Sequence, residues 1–195
     1  MTNTYLVTND GYGFQWLALQ VDDFINLMPE NYSDTEIFHF SYHNINLAPW
    51  WKNIESHFTQ SKDSSPLAIP DVSLWLSGAA LVLSGKAYEV LHEVLNGFGE
   101  FLPVNCLGEI YYIFNCLTLG EIDKEQSHHI VEDGFVVGVK SLKFDNSDVK
   151  DKVLFKTTFN RCKDVYCNNT FKNIVESYCL TGIAFKADLL FVIEE

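Results

Sequence analysis

The densest cluster of metal-binding residue types is His128-His129, followed by Glu132 and Asp133. A helical zinc site places two histidines at i and i+4 on one face, with a carboxylate between them. Adjacent histidines diverge on a helix and on a strand alike, so this stretch is expected as a solvated loop holding no metal. Other local signatures are missing. No serine stands in a GxSxG elbow, and no GxxxxGK[ST] phosphate loop occurs. Gly97-Phe98-Gly99 lacks the third glycine of a dinucleotide loop and follows a predicted helix, where such a loop follows a strand. Asp22-Asp23 and Glu194-Glu195 are adjacent carboxylates, which face apart and make poor acid–base pairs. The cysteines Cys106, Cys116, Cys162, Cys167 and Cys179 are odd in number, and none forms a CxxC pair. These patterns point to no catalytic residue, no metal and no cofactor. A site dispersed along the chain leaves no local signature, so a small enzyme stands as the alternative class, for instance one that reverses another protein's modification.

What remains is binding chemistry. Glu121, Asp123, Glu125, Glu132 and Asp133 fall in one short region offset only by Lys124. Asp145, Asp148 and Asp151 form a second group, partly balanced by Lys143, Lys150 and Lys152. Such carboxylates serve either as a solvated face or as contacts for Arg and Lys of a basic partner, where clustered charge speeds encounter. Trp50-Trp51 is the other candidate. On a strand one of the two packs inward and its neighbour faces out, and an exposed Trp is a strong interface contact. The expected partner surface is therefore Glu121, Asp123, Glu125, Glu132, Asp133, Trp50 and Trp51.

Charge narrows the class of partner. Thirteen basic against 26 acidic residues give a net charge of −13. Nucleic-acid binding needs a positive footprint, and an anionic membrane surface repels this field. A basic protein is attracted by it. Met1 to Asp10 carries no Lys or Arg and no long apolar run, so a secretory signal is not expected. The uncharged stretch Val72 to Gly85 is shorter than the roughly 20 residues that cross a bilayer. A soluble, cytoplasmic chain with reduced and mostly buried thiols is the expectation.

The elements that must position these residues are unevenly legible. At 195 residues with 47% hydrophobic content, the chain is expected as one domain. It divides into an N-terminal part (about 1–65) and a second part (about 66–195), and the exposed loop Ser61 to Pro70 is the candidate boundary. Tyr5 to Val7 and Trp16 to Leu19 read as strands, and Val21 to Met28 as a short helix stopped by Pro29. Residues 36–60 carry no assignable pattern. Leu81-Val82-Leu83 reads as a strand leading to Ser84, an N-cap for a helix with Ala87, Val90, Leu91, Val94 and Leu95 on one face. Asn96-Gly97 ends that helix. Strands Glu100 to Val104 and Glu109 to Leu117 follow, the second with both faces apolar. Phe135 to Phe144 contains two β-rich pieces and Val153 to Phe159 another. Asn168 or Asn169 caps a helix that Leu180-Thr181-Gly182 terminates, and Ile183 to Ile193 closes the sheet. The fold class is α+β: a mainly antiparallel sheet with a few packed helices.

Pro70-Asp71-Val72, Leu81-Val82-Leu83-Ser84, Lys86-Ala87, Leu91 and Glu100-Phe101-Leu102-Pro103-Val104 occur in that order, followed by Gly108 and Tyr111-Tyr112-Ile113-Phe114-Asn115. A shorter piece, Leu180-Thr181-Gly182-Ile183-Ala184-Phe185, lies near the C-terminus. This arrangement resembles a bacterial immunity-protein family of polymorphic-toxin systems, first noted in a myxobacterial protein and formerly a domain of unknown function. The resemblance covers roughly the last two thirds of the chain. It implies a cytoplasmic antidote that binds and neutralises a cognate toxin encoded beside it, with no cofactor, and it carries over no site residues. A scaffold protein is a further alternative, and the matching residues support the fold more strongly than the activity.

Overall fold

In the computed structural model, residues 3–11, 13–28, 32–52, 54–61, 65–78 and 80–190 are described. The largest sheet runs β3 (Ile54–Ser56), β7 (Gly99–Cys106), β8 (Glu109–Cys116), β6 (Ala80–Leu83) and β5 (Val72–Trp75) across its width. The β3–β7 pairing is parallel and the others are antiparallel. A second, antiparallel sheet has the order β11 (Leu154–Phe155), β12 (Tyr166–Asn168), β1 (Thr4–Asn9) and β13 (Ile183–Lys186). The N-terminal strand thus lies between strands from the far end of the chain. Two smaller ribbons pair β2 (Trp16–Leu17) with β4 (Phe58–Thr59), and β9 (His128–Glu132) with β10 (Phe135–Ser141). The helices are α1 (Asp34–Phe38), α2 (Phe40–His43), α3 (Gly85–Leu95), α4 (Asn146–Val149) and α5 (Asn169–Ser177). The architecture is α+β with mainly antiparallel sheets.

The period-two alternation of a strand sends successive side chains to opposite faces, and here both faces of the five-stranded sheet are covered. Leu81, Leu83 and Phe114 join one core with Leu91 of α3, Phe171 of α5 and Val7 of β1. Val82, Val104 and Ile113 join a second core with Phe24, Phe40 and Trp75. The expected division of β8 therefore holds. Asn115, wholly buried on that strand, donates through Nδ2 to Ile45 O at 3.0 Å and to Glu100 Oε1 at 2.7 Å. Glu100 also accepts from the Leu47 and Ala48 amides, at 2.7 and 2.9 Å, which clamps the N-terminal segment onto the sheet.

Capping follows the sequence in two places. The Ser84 side chain accepts from Ala87 N, and α3 ends before Gly97, whose φ is +88°. Asn168 accepts from Thr170 N and Phe171 N to start α5. That helix ends earlier than expected, at Tyr178 and Cys179, and Gly182 does something else. A Cβ there would lie 2.2 Å from Val72 O and 2.3 Å from Pro70 Cβ. Gly182 lets β13 approach the start of β5.

Other expectations are corrected. Val21 to Met28 is not one helix but two 3-10 turns, Val21–Asp23 and Ile25–Leu27, because Phe24 leaves helical geometry to bury its ring against Phe40, Trp51 and Trp75. Pro29 lies outside the described residues, as do Met1, Glu194 and Glu195. The strand expected over Trp16 to Leu19 is only two residues long. Residues 36–60 hold the end of α1, all of α2 and the strands β3 and β4. Val153 to Phe159 contains a two-residue strand followed by the 3-10 turn Thr158–Asn160. Pro103 sits in an interior strand, yet β3 begins opposite Val104. The Pro103 carbonyl faces that side, where it accepts from Trp51 Nε1 at 2.8 Å. Its missing N–H, on the same side, removes no bond from the β3–β7 ladder among the described residues.

Candidate functional site

His128 to Glu132 is a strand, not the solvated loop expected from its polarity. It pairs with β10 through Glu132↔Phe135, Val131↔Val136 and His129↔Val139, with bulges beside Gly138 and Lys140. The turn is Asp133-Gly134, both at positive φ (+50° and +82°). Two left-handed residues match the twist of a two-residue hairpin, which is why Asp-Gly suits it. The hairpin forms an arm. Phe135 is 74% exposed, Val131 59% and Val137 56%, and Ile130 and Val136 are also exposed. Apolar side chains on both strands thus face solvent at the distal end, on a ribbon that has no third strand among the described residues.

The base of the arm is pinned. Ser127 Oγ donates to Lys143 O and accepts from Lys143 N, each at 2.9 Å, and Ser141 Oγ donates to Gln126 O at 2.9 Å. Asp123 closes the adjoining turn by accepting from Glu125 N, Gln126 N and Gln126 Nε2 at 3.0, 3.2 and 2.6 Å. Farther along, His129 Nε2 donates to Phe159 O at 2.9 Å.

The sequence-derived partner residues separate into three places. Glu132 and Asp133 form the tip of the arm, whereas Glu121, Asp123 and Glu125 stand at its base. Seven extended residues of β10 set these apart by about 20 Å. Trp50 and Trp51 lie on neither end. They occupy a turn rather than a strand, and both are half-buried against the second core, Trp50 on Tyr32 and Trp51 on Phe24. In the second acidic group Asp145 caps α4 and Asp148 pairs with Lys152 at 2.6 Å, whereas Asp151 stays exposed 4.0 Å from Lys150.

Between the arm and the four-stranded sheet lies a cleft of about 550 Å³. Val136, Val137 and Val139 form one wall, Val7 and Leu74 another, and Phe159 contributes its ring. The loop that closes it holds two consecutive non-glycine residues in the left-handed region, Arg161 (φ +59°) and Cys162 (φ +51°). Such backbone costs of order 1–3 kcal/mol per residue and collects at functional sites. It presents Asn160 and Asp164 to the cleft, and β12 adds Tyr166. Asn160 Nδ2 donates to Asp164 Oδ2 at 2.8 Å and to Tyr166 Oη at 3.0 Å, and Tyr166 Oη donates to Leu189 O at 3.3 Å. Burial raises the Asp164 carboxyl above the ordinary range, against the opposing Asn160 bond and the nearby Lys163 charge.

Sequence reasoning missed the arm, although Asp133-Gly134 between Ile130-Val131 and Phe135-Val136-Val137 is a two-residue hairpin signal. It had no means to find Lys156, which is 0% exposed. Its Nζ donates to Ser41 O at 3.0 Å and Ser41 Oγ at 3.2 Å, with no carboxylate at ion-pair distance among the described residues. The thiols of Cys106 and Cys116 are pushed up to about 11, mainly by burial, so neither is a thiolate nucleophile at neutral pH. Cys162 and Cys167 are buried as well, and Cys179 is exposed. Among the described residues, no three His, Cys, Asp or Glu side chains converge as metal ligands, and no helix is long and apolar enough to cross a membrane.

No protein-family model matches this chain, and no curated protein matches its sequence.

Proposed function

We propose that this protein is an immunity protein that acts in the cytoplasm, binding a cognate toxin and neutralising it without catalysis. The observation that carries the reading is the arm. Soluble surfaces rarely gather contiguous apolar side chains unless a partner covers them, and a lone two-stranded ribbon is marginal in water. On this ribbon Val131 and Val136 are exposed on one face, Ile130 and Phe135 on the other and Val137 at the bulge, and among the described residues no further strand pairs with its edges, where a partner's strand can add.

The partner's chemistry follows from charge. Glu132 and Asp133 at the tip, Glu121 and Glu125 at the base and the net charge of −13 favour a toxin domain with an apolar groove rimmed by Arg and Lys. Four buried free thiols fit a reducing compartment.

Co-expression with the product of the neighbouring gene is the test. The expected result is that this product is toxic alone, that the chain restores growth, and that the two co-purify at fixed stoichiometry. A Phe135→Ser, Val137→Ser variant should melt like the parent yet lose both rescue and co-purification. A non-toxic neighbour, or rescue at strongly sub-stoichiometric amounts, sinks the binding reading. Full rescue by the double variant sinks the placement on the arm.

A further inference from the structure

The polar end of the cleft beneath the arm is unbalanced. The two bonds donated by Asn160 Nδ2 set the orientation of that amide, because turning it would aim its oxygen at the Asp164 carboxylate. Asn160 Oδ1 is then left buried with no donor among the described residues. Asp164 is half-buried, is bonded through one oxygen, and forms no ion pair among the described residues. Arg161 and Lys163 also line the cleft, but both are exposed and neither reaches ion-pair distance of that carboxylate. Buried acceptors without donors are rare because each forfeits its bond to water, and a desolvated carboxylate calls for a cation.

We propose that this cleft binds a small amphipathic primary amine. Its apolar body lies along Val136, Val137, Val139 and Leu74, and its ammonium donates to the Asp164 carboxylate. An ammonium supplies three donors and a charge that can reach Asp164, whereas Arg161 and Lys163 do not reach it. An apolar space of about 550 Å³ with a few polar groups at one end is of the size and character that holds whole small ligands. The inference shares Val136 and Val137 with the toxin-binding reading but is carried by Asp164 and its loop, which that reading does not use, so Asp164→Asn should weaken amine binding and leave rescue intact.

The test is a titration of the nitrogen-15-labelled full chain with n-hexylamine, with n-hexanol, hexanoate and Nα-acetyl-lysine methylamide as comparison probes. Hexylamine should give saturable shifts confined to the amides of 136–139 and 159–164, and bind at least about tenfold more tightly than the other three. Asp164→Asn should weaken it by about tenfold or more. Should that variant fail to fold, Lys163→Gln, at an exposed position outside the apolar wall, removes a like charge near Asp164 and should tighten hexylamine relative to hexanol. Equal binding of hexanol or hexanoate overturns the proposal, as does an unaltered affinity in either variant. Equal binding of the lysine derivative overturns the assignment to a free amine.

Discussion

His129 of the arm lies flat on Phe159 of the loop Thr158–Asn160, with ring centroids 3.8 Å apart and planes 14° from parallel, while His129 Nε2 donates to the Phe159 carbonyl at 2.9 Å. A carbonyl can only accept, so Nε2 carries the proton. One side chain thereby joins the arm to the strained loop and sets the width of the cleft between them.

Replacing His129 by Ala removes a hydrogen bond and a ring contact, together worth about 1–3 kcal/mol locally. The expected outcome is loosening of the arm with little loss of global stability. Amide exchange should accelerate about tenfold or more for 130–139 and stay unchanged for Leu81 and Ile113 in the five-stranded sheet. Equal acceleration in both regions contradicts the arm as a separately anchored element.

The charges at the tip can be removed without strain. Asp133 holds φ +50°, which Asn tolerates as well as Asp does, so Glu132→Gln with Asp133→Asn should leave the melting temperature unaltered. Association with a basic partner should slow, and its salt dependence should flatten, since clustered exposed charge acts on encounter. Stopped-flow association at low and high salt reads this out. An on-rate like that of the parent removes the tip from the interface.

Lys156 predicts a pH effect of definite sign. Burial holds its ammonium below the ordinary lysine value of 10.5. Between the lowered folded value and that ordinary value, the unfolded chain binds the extra proton, so stability rises with pH across the window. The penalty is complete below the window and fades through it. Lys156→Met removes the group, so the variant's stability relative to the parent should fall as the pH rises through that window towards 10.5 and stay level below it. Urea unfolding at several pH values measures the difference, and a pH-independent difference refutes a depressed lysine. The Ser41 acceptors left without a donor shift the offset but not the slope.

Gly182→Ala should be severely destabilising. The added Cβ meets Val72 O and Pro70 Cβ, and φ is +105°. Strain of about 1–3 kcal/mol adds to overpacking of about 1–3 kcal/mol, and both fall where β13 meets β5. Thermal melting should drop by ten degrees or so, on the order of 2–5 kcal/mol. A change within about 0.5 kcal/mol would mean that the two strands part easily.

Local chemistry accounts for the parts of the fold legible in advance. The Leu81–Leu83 strand, the Ser84 cap, the α3 stripe, Gly97, the β7–β8 hairpin and the Asn168 cap each depend on residues a few positions apart. Val21 to Met28 misled because the helical spacing of Phe24, Ile25 and Met28 says nothing about the aromatic cluster of Phe40, Trp51 and Trp75 that draws Phe24 away. The acidic residues were legible as charge but not as a patch, since Asp123 is consumed in closing a turn and the rest stand at opposite ends of a ribbon.

By itself the sequence determined the α+β class, the caps and turns of the central unit and the sign of the field around the molecule, because periodicity, capping and charge act locally or sum without regard to position. Only the tertiary structure decided which apolar residues stay uncovered on the arm, which carboxylate is desolvated in the cleft, and that Lys156 reaches Ser41 across 115 positions. Burial is a property of the collapsed chain: a side chain is exposed or buried according to what packs over it, and here the covering residues come from distant stretches.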